Sequence, residues 1–426
     1  MQLALYNGLL YLGGPLLRRH LKKRLASGKE DPDRFQERKG HAALPRPEGP
    51  LIWIHAASVG ESVSALTLIH GLLEKVPERH VLVTTGTRTS AAIMTARLPA
   101  GAVHQYVPLD MKRAVCRFLD HWRPDLAIWM ESEIWPNLIM QSGKRHIPMI
   151  MVNARITEKS FEVWRKSFGL SRTLLRNFDF CSAQSELSAD RLRQLGASPV
   201  ECLGNLKFAA EPLPVDTTAL EIVQKAVGGR PLWLAASTHR GEEAHILTAH
   251  QQLSEKRPNI LTLIAPRHPE RGKEIAALLA EAGLTAARRS LGDEMTDETA
   301  VYVADTIGEL GLFYRLSEIV FIGGSLVPNG GQNPLEAARL GCALLHGPHM
   351  DNFADVMTVF SDFDAAMEVD DAAALAEAVA HLVGQPAERD EMAARAAKVV
   401  ATGQETLTRT LAAIEGLLAR RRDENS

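Results

Sequence analysis

Apolar runs of four to seven residues, each followed by a polar or glycine-containing loop and then a helical pattern, recur along the chain. In the first half they fall at 51–55, 81–85, 103–107, 126–130, 148–152 and 178–182. In the second half they fall at 232–236, 260–265, 300–303, 319–322 and 343–346. Short runs without alternation predict strands buried on both faces of a parallel sheet. The stretches 62–73, 112–121, 185–195, 242–253 and 270–282 carry apolar residues at helical spacing and supply the crossovers. The pattern lapses between Lys207 and Arg230, where EPLPVD (211–216) supplies prolines and no strand. That lapse reads as a linker between two α/β domains, 25–210 and 211–426. Two Rossmann-like, doubly wound sheets facing across a cleft follow, and the Ala-rich helical stretch from Asp371 onward is expected to pack back across both halves.

Composition adds limits rather than a direction. At 426 residues the chain is longer than one hydrophobic core usually supports. Its net charge of −3 gives no overall bias towards nucleic acid, so an anion site has to be built locally. Cys116, Cys181, Cys202 and Cys342 form no CxxC pair and lie in or beside apolar runs, which reads as buried thiols in a reducing compartment. The N-terminus stands apart. Residues 3–17 are apolar but broken by Asn7, Gly8, Gly13, Gly14 and Pro15, and fall short of the ~20 residues of a spanning helix. Positive charge follows this run, at Arg18, Arg19, Lys22, Lys23 and Arg24, whereas a secretory signal carries it before. Residues 1–24 are therefore expected to be an uncleaved segment inserted in or lying on an anionic membrane face. A first helix packed on its own or a neighbouring chain is the alternative.

In open α/β sheets ligands bind beyond the carboxyl ends of the strands, so the residues found there carry the chemistry. AASVGES follows the first strand and brings Glu61 to the start of a helix, as a functional carboxylate or a partner of the helix dipole. TTGTRTS after the second strand is a small-residue loop opening a helix, a moderate anion signal. The run 126–130 passes straight into Glu131-Ser132-Glu133, and two acids at that place are poorly explained by packing. Asn153-Ala154-Arg155 adds a cation to the same rim, and LGNLKF puts Lys207 just before the linker. In the second half His239-Arg240-Gly241-Glu242 and Pro266-Arg267-His268-Pro269 follow strands. GGSLVPNGGQNPLEAA then combines two glycine pairs with a helix start near Asn333. Its backbone N–H groups are expected to form a concavity for phosphate, with Glu336 accepting from ribose hydroxyls.

Taken together, IHAASVGES, ESEIWPN, NARITEKS, LGNLKF, AASTHRGEE, PRHPER and GGSLVPNGGQNPLEAARLG resemble the 3-deoxy-D-manno-octulosonic acid (Kdo) transferases of lipopolysaccharide assembly, in the family's order and over nearly the whole chain. The resemblance implies a GT-B fold, with an N-terminal acceptor domain and a C-terminal domain for CMP-Kdo. It implies inverting transfer to a lipid A precursor (lipid IVA) at the cytoplasmic face of the inner membrane, with no metal or other cofactor. By the family pattern Glu61 is the general base, and Glu131 and Lys207 match transition-state stabilisers. Pro266, Arg267, Gly308, Glu309, Leu310, Asn333, Pro334, Leu335 and Glu336 match the CMP contacts. Two departures stand out: Gln332 replaces a histidine expected before Asn333, and Ala337 replaces a proline after Glu336. The competing readings are a GT-B transferase or epimerase using a UDP-sugar, and a non-catalytic lipid-binding relative. The lack of a GxxxxGK[ST] motif argues against a P-loop kinase.

Overall fold

In the computed structural model the apolar runs form fourteen strands in two parallel sheets. The structure describes residues 2–167 and 169–425; the side chains at 2–5, 9, 14–18 and 421–425 lie outside the described residues. The chain divides into two compact units, 1–210 together with 402–426, and 211–401.

The first unit holds β1 (Leu51–His55), β2 (His80–Thr85), β3 (Ala102–Tyr106), β4 (Leu126–Met130), β5 (Met149–Ala154), β6 (Phe180–Ala183) and β7 (Val200–Cys202). Their order across the sheet is β3-β2-β1-β4-β5-β6-β7, all parallel. Alternate residues of each central strand face opposite helical layers. Trp53 and Trp129 meet at 5.4 Å between ring centroids, with Phe118 against Trp53 at 5.0 Å, while Ile52, Ile54 and Ile128 pack on the other side. Edge-on aromatic pairs of this sort add about 0.5–1.5 kcal/mol each beyond the area they bury.

The second unit holds β8 (Leu232–Thr238), β9 (Leu261–Pro266), β10 (Ala286–Arg288), β11 (Val301–Val303), β12 (Ile319–Ile322), β13 (Ala343–His346) and β14 (Met367–Glu368), in the order β10-β11-β9-β8-β12-β13-β14. Two parallel, doubly wound sheets are the architecture of the GT-B fold expected from the sequence. Three strands had no counterpart in the apolar pattern: β7, β10 and β14. They are two or three residues long and partly exposed at sheet margins, so they carry too few buried positions to register.

Other expectations need correction. The stretch 207–230 lacks a strand, as read, but it contains the helix Thr217–Val227, capped by Asp216. Residues 402–426, expected in the second domain, belong with the first unit. They form the later part of a helix running Pro386–Asn425. Close approach explains the assignment: a Cβ on Gly403 would lie 2.1 Å from the Phe208 carbonyl carbon, and Arg79 pairs with Glu415 at 2.6 Å. Of the cysteines only Cys181 and Cys342 are buried, with burial pushing both thiols up to about 12; Cys116 and Cys202 are half-buried. At the N-terminus two helices, Gln2–Leu12 and Gly14–Ala26, replace one apolar stretch, and Tyr6 donates to Asp110 at 2.9 Å. Among the described residues no helix is long and apolar enough to cross a membrane.

Candidate functional site

Strand order reverses direction at β1/β4 in the first sheet and at β8/β12 in the second. A crevice opens at such switch points because consecutive crossovers leave in opposite directions. Of the residues that the sequence singled out, Glu61 follows β1, Glu131 follows β4, His239 and Glu242 follow β8, and the glycine loop follows β12.

In the first unit Ser58 starts the helix Val59–Lys75, its hydroxyl accepting from the Glu61 N–H. Glu61 reaches back so that its carboxylate accepts from the Ala57 N–H at 2.8 Å. This reciprocal cap fixes the side chain at the lip of β1. The group is 5% exposed, and burial raises its pKa from 4.5 to about 7. The charges of Glu131 and Glu133 raise it further, against the lowering effect of the hydrogen bonds from Ser58 and Ala57. Glu131 follows β4 directly, at φ +55°, and pairs with Lys207 Nζ at 3.1 Å. Glu133 accepts from the Trp135 indole at 2.8 Å. Glu61, Glu131 and Lys207 are thereby gathered in one unit, with a proton acceptor of near-neutral pKa beside a balanced ion pair.

The loop that carries Lys207 is held by Asn153, for which the sequence suggested no role of its own. It is fully buried at φ +59°, and its side-chain oxygen accepts from the Leu206 N–H at 2.9 Å. Asn205 then accepts from the Lys207 N–H at 3.0 Å. Left-handed backbone at a non-glycine residue costs of order 1–3 kcal/mol and recurs at functional sites; of six such residues among those described, Glu131, Asn153 and, in the second unit, Ser237 lie at the ends of sheet strands beside the candidate residues, while Arg123, His146 and Asp364 do not.

In the second unit the glycine loop has another use than the expected phosphate concavity. Glu242, fully buried, accepts from the N–H groups of His239, Gly324, Ser325 and Leu326 at 2.9, 2.6, 2.8 and 3.0 Å. The Gly331 and Gln332 N–H groups turn back to the carbonyls of Gly324 and Gly323. These donors hold the loop's shape and are not offered to a ligand. Gly323 is needed because a Cβ there would stand 2.6 Å from the Ser237 carbonyl oxygen. Asn333 caps the short helix Pro334–Arg339 by accepting from the Leu335 N–H, and its amide donates to Glu336 at 3.2 Å.

Pro266 is buried at the end of β9, while Arg267 and His268 are exposed beyond it. The Glu309 carboxylate is committed to Arg289, at 2.6 and 3.1 Å, so the backbone of the 308–310 turn and the half-buried Leu310 side chain are what remain for a ligand. His239 was read as part of a loop only. Its Nε2 lies 2.9 Å from the Gln332 amide, and its ring meets His268 edge-on at 6.1 Å. An imidazole thus sits at the glycine loop although the expected histidine is Gln332. Spacing in the sequence could not have signalled this, because the two residues come from different strands. Burial lowers the His239 pKa. Among the described residues no group of three His, Cys, Asp or Glu is placed to hold a metal ion.

Two doubly wound parallel units with polar residues at their switch points place the chain in the GT-B fold class. A family profile described as 3-deoxy-D-manno-octulosonic-acid transferase (kdotransferase) matches residues 33–210. The chain is 37% identical over 393 residues, 90% of its length and 88% of the other's, to an Arabidopsis thaliana protein named probable 3-deoxy-D-manno-octulosonic acid transferase, mitochondrial. It is 35% identical over 387 residues to the 3-deoxy-D-manno-octulosonic acid transferase of Haemophilus influenzae, covering 89% of this chain and 90% of that one. The fold alone is shared with the structure described as a UDP-N-acetylglucosamine 2-epimerase of Listeria monocytogenes, at 14% identity and TM-score 0.56 over 87% of this chain and 97% of that one. The chain belongs to the 3-deoxy-D-manno-octulosonic acid transferase family.

Proposed function

We propose that this protein transfers Kdo from CMP-Kdo to a lipid A precursor, lipid IVA, with inversion at the anomeric carbon, at the cytoplasmic face of the inner membrane. The observation that carries the reading is Glu61, a buried carboxyl with a pKa of about 7 at the β1 lip, with the Glu131–Lys207 pair at the neighbouring strand end. A base of that strength suits deprotonation of a sugar hydroxyl near neutral pH. In the proposed step Glu61 takes the acceptor's proton as the hydroxyl oxygen bonds to the anomeric carbon of Kdo. The bond from that carbon to the CMP phosphate breaks, and its electron pair leaves with CMP. Lys207, balanced against Glu131, offsets charge as the transition state forms.

Pro266, Arg267, the 308–310 backbone and 333–336 are proposed to hold CMP, with Arg267 at the phosphate and Glu336 at the ribose. With Arg267 proposed to offset charge on the leaving phosphate, no metal or other cofactor enters the scheme. Membrane attachment is proposed for residues 1–24, whose basic flank suits an anionic leaflet.

Glu61→Gln tests this reading. General-base catalysis contributes about 10²–10⁴-fold, so the variant should lose at least about a hundredfold in kcat with CMP binding intact. More than about a tenth of the wild-type rate would make Glu61 a partner of the helix dipole only.

A further inference from the structure

A groove of about 470 Å³ in the first unit lies apart from the residues assigned to catalysis. Leu21, Phe35, Leu109, Met111 and Ala114 give it a largely apolar lining. Five of its ten lining residues are cationic and none is acidic. Arg38 is turned inward, donating to the Val107 carbonyl at 2.6 Å and pairing with Glu30 at 3.5 Å. Arg117 donates to the Lys39 carbonyl and meets His41. Lys22, Lys39 and Arg113 are exposed and make no ion pair among the described residues, although Lys39 stands 5.4 Å over the Phe35 ring. An apolar channel with uncompensated cations at its mouth matches one acyl chain below one anionic head.

We infer that this groove binds an anionic glycerophospholipid of the surrounding bilayer. The inference rests on the membrane-surface part of the proposed function and adds a discrete lipid site to it. Charge complementarity selects an anionic head over a zwitterionic one, since the lining carries five cations and no acid. The acceptor glycolipid is disfavoured as occupant because Glu61, Glu131 and Lys207 are not among the lining residues. Helix Gly14–Ala26 supplies Leu21 and Lys22, so the bound lipid would tie the N-terminal segment to the helix Lys112–Trp122.

The test uses the full chain in neutral detergent with fluorescent phosphatidylglycerol and phosphatidylcholine analogues, read by polarisation at low and high salt. Phosphatidylglycerol should bind at least about tenfold more tightly, with a preference that salt weakens. The Lys39→Glu/Arg113→Glu variant, both positions being exposed, should lose that preference by about tenfold or more. Its thermal melt and its kcat and KM on detergent-dispersed acceptor should be unchanged. Equal affinity of the wild type for both probes, or an unaffected variant, overturns the inference. Displacement of the probe by lipid A precursor at lower concentration than by unlabelled phosphatidylglycerol assigns the groove to the acceptor and overturns it too. So does displacement by inorganic phosphate at concentrations as low as those of the lipid. Sedimentation of wild type and variant with neutral vesicles reads attachment by the first helices separately, so loss of the groove and loss of membrane association are distinguishable.

Discussion

Burial of Glu61 sets its use in catalysis against the stability of the fold. A carboxyl raised from 4.5 to about 7 favours the protonated form in the native state. The native protein therefore binds more protons than the unfolded chain across that interval. This contribution to stability is complete below about pH 4.5 and is lost as pH rises through about 7, a difference on the order of 3 kcal/mol. The same rise generates the carboxylate that the proposed reaction needs, so kcat/KM should increase through about pH 7 while stability falls. Glu61→Gln should remove both trends, which denaturant melts at pH 5 and pH 8 and a pH–rate profile will read. Lys207 enters through Glu131. Without the ammonium, the Glu131 carboxylate acts on Glu61 unopposed and raises its pKa further, so Lys207→Met should move the acidic limb of the pH profile upward. An unmoved limb with reduced rate would mean that Lys207 acts only on the reacting groups.

The elements show why parts of the site could be read in advance. Central parallel strands are apolar on both faces, so β1, β4, β8 and β12 appear as unbroken runs, and a carboxylate or glycine pair just after one is conspicuous. Glu61 and Glu131 were conspicuous for that reason, whereas Lys207 follows β7, a strand the apolar pattern missed, and stood out only by its place before the linker. Glu242 was not, since an acid in the first turn of a helix reads as a dipole partner. Its four backbone donors come largely from a loop more than eighty residues away. With those N–H groups engaged, the proposed nucleotide site relies more on side chains. Arg267→Ala and Glu336→Ala should each weaken CMP binding by roughly one to two orders of magnitude, as charge-assisted hydrogen bonds contribute about 1.5–3 kcal/mol. Only the Arg267 variant should also flatten the salt dependence, because only Arg267 is assigned to a charged group. Calorimetry at two salt concentrations checks both, and wild-type affinity in both variants would move the nucleotide elsewhere.

At the scale of the molecule, the scheme draws its electrostatic help from fixed cations held by two parallel sheets. Chelation with EDTA should therefore leave the rate unchanged, and inhibition that Mg²⁺ or Mn²⁺ reverses would replace this mechanism with a metal-assisted one. The stretch from Asp371 was expected to pack back across both halves, and it does divide between the units at 401/402; only the domain boundary missed this, because Ala-rich helical periodicity specifies a helix but not where its partner changes. Gly403 against Phe208 and Arg79 with Glu415 are contacts between distant stretches of sequence. The central claim concerns the reaction itself. The purified protein, incubated with a CMP-Kdo-generating system and tetra-acylated lipid A precursor, should yield Kdo-bearing lipid by mass spectrometry, with Glu61→Gln yielding almost none. Unaltered acceptor mass with the wild type, together with a sugar added from a UDP-linked donor, would contradict the account.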